Sequence, residues 1–440
     1  MVKNIFVQPT DVEMTSELLS EMIRTHQSIV IQKYQPLKEM YEGQYEILKK
    51  TKKEQFKPDN RLTVNFAKYI VDMLNGYFIG IPIKVTHQND KVKEYLEFID
   101  AYNDQDDNNA ELAKICSIYG HGYELVFNDE EGHIGITYLT PIEAFLVYDE
   151  SISRKPIYAV RYYKNNDNQL VGSFSNKDKI VHFIEKDGIL TFVDEQDNLF
   201  DGVPMVEYLE NEEKQSAFEN VRTLINAFNK AISEKANDVD YYADAYLKIL
   251  GAKLDETSLK QLRDNRILNF EGRGSDGLVV EFLQKPDSDT TQENLLNRIE
   301  RLIFQISMVA NISDENFGES SGIALRYKLQ AMDNLARVKE RKFVSGMNRR
   351  YKLIASFPNN KMNADDWVGI SMKFTRNLPA NILEESQIAQ NLSGIVSEET
   401  QLSVLSIVDD TQAEMQKKEP KIDDFKRGGV NGTDERKDAE

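Results

Sequence analysis

The residues that could carry chemistry are few. Gly272, Gly274 and Gly277 in EGRGSDG match the G-x-G-x-x-G spacing. That spacing holds a dinucleotide pyrophosphate only where the glycines join a strand to the N-terminus of a helix. Here LVVEFL follows directly, which makes the segment a hairpin loop. No G-x-x-x-x-G-K-[ST] phosphate loop occurs, so the chain has no recognisable means of hydrolysing ATP. His26, His87, His121, His133 and His182 are scattered and form no H-E-x-x-H pair. His121 and His133 flank one expected hairpin, where turn histidines are the plainer reading than a metal site. Cys116 lies on an apolar helix face, the setting of a packed thiol. The acidic pairs Asp106-Asp107, Asp149-Glu150, Asp365-Asp366 and Asp409-Asp410 could hold divalent ions in a metal-dependent nuclease. Among 73 acidic residues, however, adjacent pairs arise by chance and serve as caps or solvated surface. The reading is therefore of a non-enzyme with no catalytic residue, metal or cofactor, and the nuclease is kept as the enzymatic alternative.

Composition agrees. A chain of 440 residues, 40% of them hydrophobic, can fill two or three cores. Its 54 Lys and Arg against 73 Asp and Glu leave a net charge of −19, which excludes a surface wrapped around nucleic acid and leaves only local or loose DNA contact. One cysteine rules out an intrachain disulfide and fits a reducing, intracellular setting. The N-terminal MVKNIFVQPTDVEM has no apolar signal core, and no run of about 18 apolar residues occurs, so a soluble chain without membrane contact is expected.

The elements that would position any site follow from periodicity. Ser16 to Tyr34 reads as an amphipathic helix capped by Thr15 and broken at Pro36. The apolar, aromatic stretch NRLTVNFAKYIVDMLNGYFIGIPI, Asn60 to Ile83, follows a Pro58-Asp59-Asn60 turn. It places Phe66, Ile70, Val71 and Leu74 on one helical face until Gly76 and Pro82 end it. Helices recur at Lys91 to Ala101 and Asn109 to Tyr119. From Gly122 to about Tyr208 the period shortens to β-like runs (YELVF, IGITYL, AFLVYD, IYAVRYY, KIVHFI, ILTFV), a mainly antiparallel region laid on the helices, hence α+β.

Two long helices are then expected. The first spans Glu212 to about Tyr242, with a seven-residue series Phe218, Ile225, Ile232, Val239 that needs an elongated partner. The second spans about Thr291 to Asn311 behind a Thr290–Glu293 capping box, with Leu295, Ile299, Leu302, Ile303 and Ile306 on one face. Between them lies a small module containing AYLKILG, a short helix near Glu256, RILNFE and LVVEFL. A third helix, Gly322 to about Phe357, stops at Pro358; a strand at Ser371 to Arg376 and helices capped by Asn381 and Ser397 follow. Nine basic residues (Arg326, Lys328, Arg337, Lys339, Arg341, Lys342, Arg349, Arg350, Lys352) face only Asp333 and Glu340 along the third helix. Either these charges pair with acidic neighbours or part of the helix meets DNA phosphates, and both can hold for different faces.

Taken with YEGQYEIL, PIEAFLVYD, AVRYY, GVPMVEYLENEE and ENFGESSGIALRYKLQAM, the order of these elements resembles the portal proteins of long-tailed phages and prophages over about residues 15 to 415. The resemblance implies a homo-oligomeric ring, dodecameric in the virion, at one capsid vertex, through which double-stranded DNA is packaged and ejected. It implies a wing at 1–211 with a returning strand within 367–379, stem helices at 212–242 and 288–311, and a clip at 243–287. A tunnel loop would occupy 312–321, a channel helix 322–357, a crown 380–415, and a disordered tail 416–440. The implied DNA-facing loop residues are Asp314, Glu315, Asn316, Phe317, Gly318, Glu319, Ser320 and Ser321, with Arg326, Lys328 and Arg337 as phosphate contacts on the channel helix. Lys253, Lys260 and Arg263 of the clip would meet the terminase large subunit. Head-tail connector proteins, the major capsid protein and scaffolding protein are the remaining implied partners. The non-enzymatic alternative is another phage head component or head-tail adaptor.

Overall fold

The computed structural model describes residues 6–51, 58–243, 247–250, 279–282, 289–312, 322–358, 360–377, 382–405, 407–408 and 411–418. Helix α1, Ser16–Ile29, starts as expected at Thr15, whose hydroxyl accepts from the Leu18 amide at 3.2 Å. Pro36 does not break the chain. A π-helical turn, Val30–Tyr34, carries it into α2, Gln35–Tyr41, with the Gln35 amide bonded to the Val30 carbonyl. Proline lacks an amide and its ring presses on the carbonyl four residues back; widening the preceding turn to i→i+5 relieves both problems.

Helix α3, Phe66–Ile79, is capped by the Asn65 side chain on the Lys68 amide at 3.0 Å. It runs through Gly76 and ends at Ile79, between the two residues expected to stop it, Gly76 and Pro82. Its buried Phe66, Ala67, Ile70, Val71, Leu74 and Phe78 are the centre of the largest core. After β1, Lys84–Thr86, helices α4, Asp90–Tyr102, and α5, Gln105–Tyr119, complete this layer.

The β region forms two antiparallel sheets. Strands β2, His121–Asn128, and β3, Ile134–Leu139, are joined by β9, Met205–Leu209, in the order β3-β2-β9. Strands β4, Ala144–Tyr148, β5, Pro156–Lys164, β6, Leu170–Ser175, β7, Lys179–Lys186, and β8, Ile189–Asp197, form a sequential meander. Strand β6 was not foreseen because Gly172 and Ser173 dilute its pattern. The glycine is needed there, since a Cβ would stand 2.7 Å from the Phe183 ring. Alternation divides the two faces of the meander. Phe145, Val147, Val160, Tyr162 and Phe174 pack on Leu19, Met22 and Ile23 of α1, while Ala144, Leu146 and Ala159 pack on Tyr123 and Met205 of the smaller sheet.

Helix α6, Arg222–Ala243, begins ten residues later than expected. Ser216 and Glu219 explain the delay: the Glu219 carboxylate accepts from the Ser216 amide at 3.0 Å and the Ser216 hydroxyl from the Phe218 amide at 3.4 Å, a capping box ahead of a short 3₁₀ turn. Strands β10, Leu247–Leu250, and β11, Val279–Phe282, pair antiparallel, and α7, Asp289–Ser307, returns against α6. The capping box expected at Thr290 is absent because the helix starts earlier, at Asp289, and Glu293 pairs with Lys235 of α6. RILNFE and the glycine-rich EGRGSDG lie outside the described residues.

Helix α8, Gly322–Ser356, is a single run of 35 residues. The returning strand β12, Ser371–Lys373, pairs antiparallel with β1. Residues 378–440 cluster as a separate unit. Its described elements are α9, Ile382–Leu392, α10, Glu398–Leu402, capped by Ser397 on the Thr400 amide at 3.3 Å, and α11, Thr411–Lys418. Asn381 and the tail beyond Lys418 lie outside the described residues. The architecture is α+β, and no helix among the described residues is long and apolar enough to cross a membrane.

His26 is buried under Phe6 and Phe145 and shares a 2.7 Å hydrogen bond with Tyr162. Burial, aided by His121, pushes its imidazole down to about 4 from 6.5. As pH falls through 6.5 the unfolded chain takes up this proton and the folded chain does not, so stability drops until about pH 4 and then levels. The contribution is up to about 3 kcal/mol. Denaturant unfolding between pH 7 and 4 is expected to show a steeper loss for the wild-type chain than for His26→Gln; equal slopes would contradict it.

Candidate channel helix and the elements that hold it

Along α8 a seam of buried positions runs through Leu329, Met332, Ala336, Lys339, Phe343, Met347, Arg350 and Ile354, with Gly346, Tyr351, Leu353 and Ala355 buried beside it. The three-four alternation is that of a helix seam, yet two of its positions carry charge. Lys339 is 1% exposed and Arg350 0% exposed. The Lys339 ammonium donates to the Ser117 hydroxyl at 2.6 Å, the Ala113 carbonyl at 2.8 Å and Asn75 Oδ1 at 3.0 Å, and lies 2.8 Å from the Glu210 carboxylate. The Arg350 Nε contacts both Glu124 oxygens at 2.8 and 2.9 Å, and its Nη2 donates to Asn109 at 2.7 Å and to Glu124. Each cation thus ties α8 to α5 and to one strand or strand end, β2 through Glu124 and the residue after β9 through Glu210. Between them Gly346 lets the Tyr208 ring of β9 press on the helix, where a Cβ would stand 2.5 Å from it.

The remaining basic residues of α8 divide. Arg337 is 69% exposed and bonded to Asp333 at 2.7 Å, and Asp333 also receives Arg376 at 3.4 Å and the Tyr77 hydroxyl at 3.3 Å. Lys342 pairs with Glu212. Lys352 and Arg341 are exposed. The structure places Arg326 and Lys328 on the first turns of α8, and their side chains lie outside the described residues.

The α6/α7 hairpin is fastened to the rest by an unforeseen device. The extended segment Asn60–Val64 runs along α6, and its alternate amides are taken by side chains one helical turn apart. Asn60 donates to Asn237 at 2.6 Å, Leu62 to Ser233 at 3.0 Å, and Val64 to Asn229 at 2.7 Å. Ser233 returns a bond to the Leu62 carbonyl at 3.1 Å. Spacing of i, i+4, i+8 gives α6 a polar rail where a strand would offer carbonyls. The sequence pattern shows only the seven-residue apolar series, of which Phe218 and Ile225 are buried but Val239 is 59% exposed. At the other end of the hairpin, α7 stops where Met308 takes a positive φ of 58°. The Tyr69 hydroxyl of α3 then donates to the Ala310 carbonyl and accepts from the Ile312 amide, both at 3.1 Å.

Other candidate groups are absorbed by structure. His121 donates from Nδ1 to Glu207 at 2.8 Å and accepts at Nε2 from Tyr34 at 2.8 Å, in the π-helical turn. Burial alone would raise Glu207, but Lys214 and His121 outweigh it and hold the carboxyl well below its usual range. Cys116 is fully buried, and burial pushes its thiol up. Asp149 and Asp366 cap turns through the Lys155 and Asn363 amides. Among the described residues no cluster of three or more His, Cys, Asp or Glu is arranged to hold a metal ion. Asp314 to Ser321 and Lys253, Lys260 and Arg263 lie outside the described residues.

The family described as "Phage portal protein, SPP1 Gp6-like" matches residues 21–424, nearly the whole chain. The chain belongs to the phage portal protein family. The portal protein of Bacillus phage SPP1 is 26% identical over 400 residues, covering 84% of this chain and 77% of its own. That of Clostridium phage phiCD119 is 24% identical over 388 residues, covering 80% and 83%. A chain in the solved neck of an empty GTA particle, computed with C6 symmetry, covers 77% of this one and 89% of itself at 12% identity and a TM-score of 0.47. The sequence relatives carry the assignment, and with it a structural role in a phage particle.

In this portal protein, removing one partner of the buried Arg350–Glu124 pair should cost more than replacing the whole pair. Glu124→Ala strands the Arg350 guanidinium in the core and is expected to lower stability by about 3–5 kcal/mol, whereas Glu124→Leu combined with Arg350→Met should recover much of that loss. Unfolding midpoints of the single and double variants check this; a double variant no better than the single would refute it.

Proposed function

We propose that this portal protein is one subunit of a homo-oligomeric ring at a capsid vertex, the conduit for double-stranded DNA during packaging and ejection. The observation that carries the reading is the antiparallel α6/α7 hairpin with its β10/β11 pair, set in sequence between the α+β body and the 35-residue α8. That order suits a wing at 1–211 with the returning strand, a stem at 212–242 and 288–311, a clip at 243–287 and a channel helix at 322–357. Residues 380–415 are assigned to a crown and 416–440 to a tail. Val239, Leu295, Ile306 and Met308 are exposed on the hairpin, apolar surface that neighbouring subunits would cover.

The segment 312–321 is assigned to the DNA. It contains Asp314, Glu315 and Glu319 and no basic residue. Duplex DNA carries a charge about every 1.7 Å, so a ring of cations would grip it and a ring of carboxylates lets it slide. Arg326, Lys328 and Arg337 stand as the cations of α8 closest in sequence to that loop. Lys253, Lys260 and Arg263 of the clip are assigned to the terminase large subunit, with connector proteins using the same end later. Capsid and scaffolding proteins would meet the wing. The subunit itself neither hydrolyses ATP nor cuts DNA.

Native mass spectrometry should give a closed ring near the dodecamer, and a monomer at all micromolar concentrations would overturn the reading. With terminase and ATP, proheads carrying Glu319→Lys should assemble normally but package slowly or stall, the defect easing as salt screens phosphate attraction. Normal packaging at low salt would remove this loop from the DNA path.

A further inference from the structure

The apolar stretch around Tyr69 is explained by core packing except at one atom. Phe66, Ile70, Val71 and Leu74 of α3 face the main core, whereas Tyr69 is only partly buried and points its hydroxyl at the end of α7. Its ring stands edge-on to Phe304 at 5.5 Å between centroids, and Phe304 also meets Phe66 at 5.8 Å. The hydroxyl then serves two backbone groups two residues apart, as donor to Ala310 and acceptor from Ile312. Past Met308, with its positive φ, no helical partner remains for either group, so the phenol supplies what the helix no longer does.

We infer that Tyr69 is a positioning residue, setting where the chain stands as it leaves α7 for the segment assigned to the DNA. The inference rests on that assignment and adds the element that controls it. Tyr69 sits four residues after Asn65, the cap of α3, and Asn65 directly follows the extended segment held by Asn229, Ser233 and Asn237. One covalent stretch, Asn60 to Tyr69, therefore touches the α6/α7 hairpin twice: along α6 by the polar rail, and beyond α7 by the Tyr69 hydroxyl. A tilt of α6 that drags Asn60–Val64 is passed through the rigid start of α3 to Ala310 and Ile312.

Tyr69→Phe removes the hydroxyl and keeps the ring on Phe304. In the full-length ring, hydrogen exchange of the Ile312 amide should quicken about five-fold, the factor that one hydrogen bond of ordinary net strength provides. Ring mass and thermal midpoint should not change. In terminase-driven packaging the variant should slip more often at an unchanged KM for ATP, because the motor is untouched and only the contact with DNA is altered. Unaltered exchange at Ile312 would refute the hold itself, and quickened exchange with wild-type packaging would refute its role. Loss of the ring would make Tyr69 a folding residue and also reject the inference. If wild-type rings fail to support packaging with terminase, the conduit reading falls, while the exchange measurement still decides whether Tyr69 holds Ile312.

Discussion

The structure depends on two cations that have no way out of the core. Lys339 and Arg350 occupy seam positions of α8, three turns apart, and each finds its carboxylate only in one register. A one-turn slide of the helix, about 5.4 Å, would bury both without partners, at a cost of several kcal/mol per ion. Apolar seams tolerate small slips because one aliphatic side chain replaces another. This seam does not, so the long helix is indexed against α5 and the β3-β2-β9 sheet even though its charges add little net stability over a hydrophobic core.

The same economy of means fixes the hairpin. A strand laid beside a helix meets no ladder of free carbonyls, since the helix uses its own. Asn229, Ser233 and Asn237 solve this with side chains spaced by one turn, and Asn60–Val64 gains partners for alternate amides. Such contacts are directional, which apolar packing is not. They hold the α6/α7 pair at a set height while leaving Val239 and Leu295 exposed.

Much of the architecture was legible because periodicity is a backbone property written in side chains. The helices at Asp90–Tyr102, Gln105–Tyr119, Gly322–Ser356 and Ile382–Leu392 fall close to where apolar spacing put them, and the antiparallel sheets follow their alternating runs. What escaped was polar. The capping box at Ser216 and Glu219 was passed over in favour of an apolar series that continued through it. Pro36 was read as a break because a π turn has no sequence signature as strong as the proline. The rail on α6 carries no apolar signal, and the pairing expected for the basic residues of α8 is met at Lys339 and Arg350, but inside the core, where Lys and Arg are rare. The spacing could have shown this: Lys339 and Arg350 continue the series Met332, Ala336, Phe343, Met347. The residues assigned to the DNA path rest on family resemblance alone, because a conduit of the proposed kind needs no catalytic or base-reading motif that a sequence could display.

That last point bears on charge. Nine basic residues on one helix in a chain of net charge −19 suggest a cationic bore, and a continuous one would hold DNA in a strongly salt-dependent grip. The structure turns much of that basicity elsewhere. Lys339 and Arg350 are consumed in the interior, Lys342 by Glu212 and Arg337 by Asp333, each within the same subunit. The local excess in the sequence is therefore a poor measure of the field that DNA would meet. In a conduit, isolated cations separated by carboxylates give weak contacts that exchange as the duplex moves, and buried pairs contribute almost nothing to the potential at the surface. Basic residues can thus index α8 against the body of the subunit without making the helix surface adhesive to a polyanion.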